Sequence, residues 1–455
     1  MPWLKFLLMS CCALGLFSSV SAQPTEADRL AKSALFDYVA APDPSYTWKE
    51  RGRTTALGVK LVELTLTSQR WHGTAWKHRL LILLPEKVDA SKQALLLISG
   101  GSWRGEDAGI GSKDFKLPPA AMMIATVVRQ LSCPVAILSQ VPFQPMFEGR
   151  HEDALIAYTF DEFLRSDDDT WPLLLPMVKS AVRAMDTVQS FLREQEHVEI
   201  DNFTVTGASK RGWTTWLTAA VDKRVTAAAP MVIDMLNLNE QMKHQIDVWG
   251  KPSEQIRDYT DLKIFERIDT LRGRQLQSIV DPHAYLDRLL QPKLIFLGSN
   301  DPYWPVDASN LYWDDIKGQK YLTIVPNGGH DLGGDFGRIL GGLVAIHQQA
   351  AGGKKMPQMN WTFEVAGESH QLSITTDEPA KNGMIWIASS QTPDFRDAMW
   401  KQSPMRETAK GFEVQIPKGE QKYVGVFGEL VFDRFPSLHL STNIRIFPEE
   451  KQTAE

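Results

Sequence analysis

The hexapeptide Gly207-Ala208-Ser209-Lys210-Arg211-Gly212 follows the apolar run Phe203-Thr204-Val205-Thr206 and leads into the helical pattern that starts at Trp213. A serine on a strand-to-helix turn is held outside the sheet with its hydroxyl exposed. The N–H of the next residue, Lys210, then lies at a helix N-terminus, where it can stabilise an oxyanion. Such a hydroxyl becomes a nucleophile near neutral pH only with a base beside it. Two downstream residues have the right types and settings. Asp301 follows the apolar run Lys293 to Leu297 within Gly298-Ser299-Asn300-Asp301-Pro302-Tyr303-Trp304-Pro305, and His330 follows Tyr321 to Val325 through Pro326-Asn327-Gly328-Gly329. His330 would take the serine proton, and Asp301 would fix the imidazole tautomer and stabilise the imidazolium. Each has a plainer alternative, as a capping serine, a turn aspartate or a solvated histidine. Their order and shared context predict the nucleophile, acid and base.

A second oxyanion donor would come from the loop after an earlier strand. Ala94 to Ile98 runs into Ser99-Gly100-Gly101-Ser102-Trp103, and the pair Gly100 and Gly101 lets backbone N–H groups approach a substrate, though a plain glycine turn is the alternative. Trp103, Trp213 and Trp304 lie on or beside three of these loops. Aromatic walls suit a sugar face, an aryl ester or a hydrophobic peptide, and Glu148, Glu152 and Asp153 could add anionic contacts. Structural tryptophans in the core remain the other reading. His151-Glu152-Asp153 lacks a second histidine at helical spacing, and no phosphate-cradling or nicotinamide fingerprint is legible, so no metal and no cofactor is predicted.

These loops require a sheet. The runs Ala94 to Ile98, Pro134 to Leu138, Phe203 to Thr206, Lys293 to Leu297 and Tyr321 to Val325 are short and largely apolar, as in strands buried on both faces. Helical patterns at 118–130, 174–195, 212–222 and 333–349 alternate with them, which predicts a doubly wound, mainly parallel α/β sheet. Alternation at 59–67 and 78–85 predicts a hairpin at its edge. Residues 144–173 and 235–290 break the pattern and read as insertions of the kind that carry lids and binding loops. After Gly352-Gly353-Lys354-Lys355 the chain changes to short alternating segments, which favours a β-sandwich over 356–448 with a tail at 449–455, and a domain boundary near Lys355.

Residues 1–22 read as a signal peptide: Lys5 supplies the charge, Phe6 to Phe17 is almost continuously apolar, and Val20-Ser21-Ala22 offers small residues for cleavage. The apolar run falls short of the roughly 20 residues that a membrane span needs. No stable membrane anchor is predicted, although a retained anchor and a lipoprotein centred on Cys11 are alternatives. The expected location is exported, either periplasmic or secreted. Of three cysteines only Cys133 lies beyond this segment, so no disulfide framework can form and the core must carry stability. Formal charge of −6 over 455 residues is far from the basic footprint of nucleic-acid binding, so no nucleic-acid partner is expected. The one marked compositional excess is 14 Trp.

With these residues in place the chain resembles the PhoPQ-activated pathogenicity-related protein family, an exported bacterial group with an α/β-hydrolase-like domain. The resemblance rests on Gln140-Val141-Pro142-Phe143-Gln144-Pro145, Glu152-Asp153-Ala154-Leu155-Ile156-Ala157-Tyr158, Trp171-Pro172-Leu173, Ala184-Met185-Asp186, the Ser209 hexapeptide with Trp213, and Asn300 to Pro305. The order serine, acid, histidine is similar to that of α/β-hydrolases. One departure stands out: the usual elbow G-x-S-x-G has glycine two residues after serine, whereas Arg211 occupies that place and Gly212 comes one later. This resembles the elbow of glucuronoyl esterases, which implies that Lys210 could offer its ammonium as well as its N–H to the oxyanion. A salt-bridged structural Lys210 is equally open. The expectation is a serine hydrolase acting on a small-molecule ester, a saccharide ester or a peptide. The alternative is a non-catalytic envelope, extracellular binding or virulence-associated protein on a hydrolase scaffold.

Overall fold

The computed structural model describes residues 26–103, 105, 109–110, 121–366, 369–416 and 422–448. The signal-peptide reading of 1–22 and the tail 449–455 lie outside them. Nine strands form the central sheet: β1 (Thr47–Ala56), β2 (Val59–Trp71), β3 (Thr74–Pro85), β4 (Gln93–Ile98), β5 (Val135–Leu138), β6 (Asn202–Ala208), β7 (Val225–Met231), β8 (Lys293–Gly298) and β9 (Lys320–Val325). Their spatial order is β1-β2-β3-β5-β4-β6-β7-β8-β9. The first three pair antiparallel, β3 meets β5 antiparallel, and every neighbour from β5 through β9 is parallel. This is the doubly wound α/β-hydrolase arrangement. The five apolar runs become β4, β5, β6, β8 and β9, and the predicted hairpin is β2–β3.

The crossover from β4 returns to β5 on one side, and the crossover from β5 carries the chain to β6 on the other. Strand order therefore reverses around β4, and loops leaving the C-terminal ends of β4 and β6 open a crevice there. Gly100 and Ser209 are on those two loops. Helices Leu174–Phe191 and Lys210–Val221 pack their apolar sides into one large core with the sheet, while Ala121–Leu131 and Phe336–Ala350 cover the other face. The insertions form helices of their own: Glu152–Arg165 in the first, and Leu238–Trp249, Arg257–Asp261 and Leu271–Val280 in the second.

Beyond Ala350 the strands assemble into a four-stranded and a five-stranded antiparallel sheet. They face each other closely: a Cβ at Gly428 would sit 2.4 Å from Ile374 Cδ1 and 2.9 Å from Leu372 Cδ2. This β-rich part shares a core with the central sheet, since Leu294, Phe296 and Tyr321 cluster with Leu372, Val426 and Leu440. It also covers the open edge of β9. The Ile324 N–H donates to Ser441 Oγ at 3.0 Å, and Thr323 Oγ1 donates to the His439 carbonyl at 2.7 Å, which occupies polar groups that an edge strand would otherwise expose.

Candidate active site

Ser209 stands between β6 and the helix Lys210–Val221 with φ 59° and ψ −129°, a backbone conformation that costs of order 1–3 kcal/mol for a residue with a side chain. Its own N–H is tied to the Met231 carbonyl at 2.9 Å, and its carbonyl accepts the Trp213 N–H at 3.0 Å. The flanking glycines make the turn possible. A Cβ at Gly207 would lie 2.7 Å from the Arg211 carbonyl oxygen, and one at Gly212 would lie 2.7 Å from the Met231 carbonyl oxygen and 2.8 Å from Ile233 Cγ2. Gly212 thus supplies the close approach of helix to strand, one residue later than in the common elbow.

The loops after β8 and β9 bring the other two groups to this serine. His330 Nε2 lies 2.8 Å from Ser209 Oγ, and His330 Nδ1 lies 2.8 Å from Asp301 Oδ2. With Asp301 as acceptor, Nδ1 carries the proton and Nε2 faces the serine hydroxyl as a base. The second oxygen, Asp301 Oδ1, accepts the Tyr303 N–H at 2.9 Å, and the Tyr303 ring stacks on the imidazole with centroids 4.1 Å apart. Carboxylate, imidazole and hydroxyl form one unbroken hydrogen-bonded line. Tyr303 was not singled out by the sequence; its position two residues after Asp301 is the only signal it gave.

Both acid and base loops are fastened to the β-rich part. The Asn300 amide donates to the carbonyls of Arg396 (2.9 Å) and Ala398 (2.8 Å), and Asn327 pairs reciprocally with the Trp400 backbone at 3.0 and 2.8 Å. Ser299 Oγ joins the two loops, accepting from Asn327 N at 2.7 Å and donating to Asn300 Oδ1 at 2.7 Å.

The basic residues after Ser209 have partners from the first insertion. Arg211 Nη1 and Nη2 donate to Glu152 Oε2 and Oε1 at 2.8 and 2.6 Å, and its Nε donates to the Val141 carbonyl. Lys210 Nζ lies 3.1 Å from Glu152 Oε2 and 2.9 Å from Asp153 Oδ2. Its ammonium is therefore engaged by two carboxylates, the salt-bridged arrangement held open above. As the first helical residue, Lys210 has no acceptor for its N–H within the helix. Burial pushes the Glu152 carboxyl up, but the hydrogen bonds and charge of Arg211, with Lys210 and Gln144, outweigh this and hold it at about 2.

Gly100 lies against the elbow. A Cβ there would fall 2.4 Å from the Arg211 guanidinium, so the absent side chain makes room for that group. Gly101 has φ 108°, and its carbonyl accepts from Gln144 Nε2 at 3.3 Å.

A cavity of about 60 Å³ is lined by Ser209 and His330 together with residues of both insertions. Trp213, Trp304, Asp153 and Lys210 line it. Trp103 and Glu148 are not among its lining residues: the Trp103 backbone N–H donates to the Gln144 carbonyl at 3.4 Å, and the Glu148 side chain is 86% exposed beside Arg150.

The sequence profile of a family described as PhoPQ-activated pathogenicity-related protein matches residues 35–396. Autocrine proliferation repressor protein A of Dictyostelium discoideum is 31% identical over 383 residues, covering 80% of this chain and 75% of its own. Among solved structures, acetyl xylan esterase 1 from Thermoanaerobacterium sp. JW/SL YS485 aligns with TM-score 0.48 at 15% identity, over 71% of this chain and 94% of that one. A glucuronoyl esterase from Solibacter usitatus aligns with TM-score 0.41 at 13% identity, over 71% and 92%. At such scores and identities neither likeness bears on chemistry. No helix among the described residues is long and apolar enough to cross a membrane.

Proposed function

The chain belongs to the PhoPQ-activated pathogenicity-related protein family, and from that premise we propose that it is an exported serine hydrolase cleaving an ester or amide through an acyl-enzyme on Ser209. The observation that carries the reading is the hydrogen-bonded line Asp301–His330–Ser209, with the serine at a strained strand-to-helix turn.

In this reading Ser209 Oγ attacks the substrate carbonyl carbon as its proton passes to His330 Nε2, and Asp301 stabilises the imidazolium without taking the proton. The Lys210 N–H, and one from the Gly100-Gly101 loop, hold the oxyanion of the tetrahedral intermediate. Collapse breaks the bond to the leaving alcohol or amine, which departs with the proton from His330. Water then attacks the acyl carbon and gives a proton to His330. The second collapse releases the carboxylic acid, and that proton returns to Ser209.

The test is labelling of the purified protein with a fluorophosphonate, alongside Ser209→Ala and His330→Ala. The expected result is labelling of wild type that is lost in both variants, with turnover of an acyl ester or aminoacyl amide that follows the labelling. A folded wild-type protein that stays unlabelled and hydrolyses neither substrate class sinks the nucleophile assignment, and leaves the scaffold to binding alone.

A further inference from the structure

The cavity at Ser209 is walled by apolar side chains drawn from separate elements: Phe160 from the first insertion, Ile256, Ile264, Ile268 and Leu276 from the second, and Ile233 beyond β7. All six are buried. Three polar donors along the same wall are committed to other parts of the protein. The Tyr259 hydroxyl donates to Asp153 Oδ1 at 3.0 Å, the Trp213 indole N–H donates to the Val280 carbonyl, and Gln277 Nε2 donates to the Ile268 carbonyl at 2.9 Å. Asp153 also holds the Lys210 ammonium. A polar ligand group entering this slot would lose its hydration and find these donors already occupied, whereas an apolar group would gain from burial.

Ser209 and His330 are themselves among the residues that line the slot, so it reaches the reacting atoms. An acyl-enzyme imposes different demands on the two halves of a substrate. The leaving group must depart and water must then reach His330 on the side it vacated, while the acyl group stays bound through both steps. A slot walled by buried apolar side chains suits the half that stays.

We propose, resting on the hydrolase reading above, that this slot is an acyl pocket, and that the substrate is an ester or amide whose acyl part is an apolar chain or ring larger than acetyl. An acetyl methyl leaves most of the wall unfilled. Each further methylene seated against it should raise kcat/KM about fourfold until the slot is full, from the ordinary worth of a buried methylene.

The test uses the purified full chain and its Ser209→Ala variant on p-nitrophenyl acetate, butyrate, hexanoate and benzoate. The slot is narrowed in turn by Leu276→Trp and by Ile264→Phe, with circular dichroism to establish folding. The expected result is Ser209-dependent kcat/KM that climbs from acetate to hexanoate, with the ratio of hexanoate to acetate lowered in either folded variant. Ser209-dependent turnover in which acetate equals or exceeds the longer esters overturns the acyl pocket while leaving the hydrolase reading intact. A folded narrowed variant that loses acetate and hexanoate equally does the same. If both narrowed variants fail to fold, the wild-type series alone decides. Absence of Ser209-dependent turnover across the series, together with absence of fluorophosphonate labelling, overturns the hydrolase reading and this one with it.

Discussion

Arg211 grips Glu152 through two parallel N–H···O bonds of 2.8 and 2.6 Å, so that the residue two places after Ser209 is fixed to the first turn of a helix in another part of the chain. The fork occupies the space that glycine leaves at position 100, and it ties together the elbow, the loop after β4 and the first insertion. A basic residue where small elbows carry glycine is thus a fastening point in this fold. It is held by charge-assisted bonds, which are roughly twice as strong as neutral ones.

Replacing Glu152 by Gln should therefore loosen the elbow. Arg211 and Lys210 would keep their charges and lose their shared counter-charge, with an expected cost of about 2 kcal/mol, below the fully buried case because Glu152 is partly exposed. Urea denaturation should show the loss at neutral pH. The Glu152 carboxyl is depressed in the folded state, so its stabilisation is present above the ordinary carboxylate range and disappears as pH falls through about 2. Wild type and variant should accordingly converge at strongly acid pH. A constant gap across that range would mean that the contribution is packing alone.

The β-rich part should matter to turnover as well as to solubility. Asn300 precedes Asp301 and gives its amide protons to the carbonyls of the 395–398 segment, so Asn300→Ala removes the tether of the acid loop. The expected effect is a fall in kcat of about tenfold to a hundredfold with KM nearly unchanged, as when a group is misplaced without loss of substrate contact. Stopping the chain at residue 358 should be more severe. It would expose Leu294, Phe296 and Tyr321 along with the edge of β9, and insoluble protein is the expected outcome.

A pH effect of opposite sign is expected at Asp234. It is fully buried, donates nothing as a carboxylate and accepts the Tyr312 hydroxyl at 2.6 Å. Burial pushes its carboxyl up to about 7, against the opposing pull of that hydrogen bond, with Asp301 and Asp307 adding to the rise. Because the folded value lies above the unfolded one, the favourable contribution is complete below the ordinary carboxylate range and is lost as pH rises through about 7. Asn keeps the acceptor for Tyr312 and never ionises. Asp234→Asn should match wild type near pH 4 and exceed it at pH 8 by an amount of order 2 kcal/mol, read from denaturation midpoints at the two pH values. An equal effect at both would exclude ionisation as the cause.

The chain of elements around the site was legible wherever burial on both faces of a strand wrote a continuous apolar run. Lys293 to Leu297 and Tyr321 to Val325 announced β8 and β9, and with them the loops of Asp301 and His330. Two strands were not legible. In β7, Val225–Met231, three consecutive alanines and Pro230 carry little strand signal, and the strand exists because β6 and β8 flank it. In β1, Thr47–Ala56, one neighbour and half-exposed faces permit the polar run Lys49-Glu50-Arg51. The partners of Lys210 and Arg211 could not be read from spacing, because Glu152 and Asp153 reach them across the crevice rather than along the chain. The second insertion reads as polar helices, and only folding shows that Ile256, Ile264, Ile268 and Leu276 turn to one cavity. The tryptophan excess divides in the same way: Trp213 and Trp304 reach the cavity, while Trp76, Trp216 and Trp400 are buried core.

Gly212 offers a test that separates the shape of the elbow from its chemistry. A methyl at this position would come within 2.7 Å of the Met231 carbonyl oxygen, the same oxygen that accepts the Ser209 N–H, and within 2.8 Å of Ile233. Neither neighbour can yield easily, since one is backbone of a central strand and the other lines the cavity beside Val232, whose φ is already 44°. Gly212→Ala should cost about 1–3 kcal/mol by overpacking and should lower fluorophosphonate reactivity by displacing Ser209 from His330. Ser209→Ala, in contrast, removes one hydroxyl from a solvent-facing turn, leaves the glycine contacts untouched and should change the denaturation midpoint little while abolishing labelling. If Gly212→Ala kept wild-type labelling rates at reduced stability, the turn would be serving packing alone; if Ser209→Ala were the more destabilised of the two, the serine would be serving the fold before any chemistry.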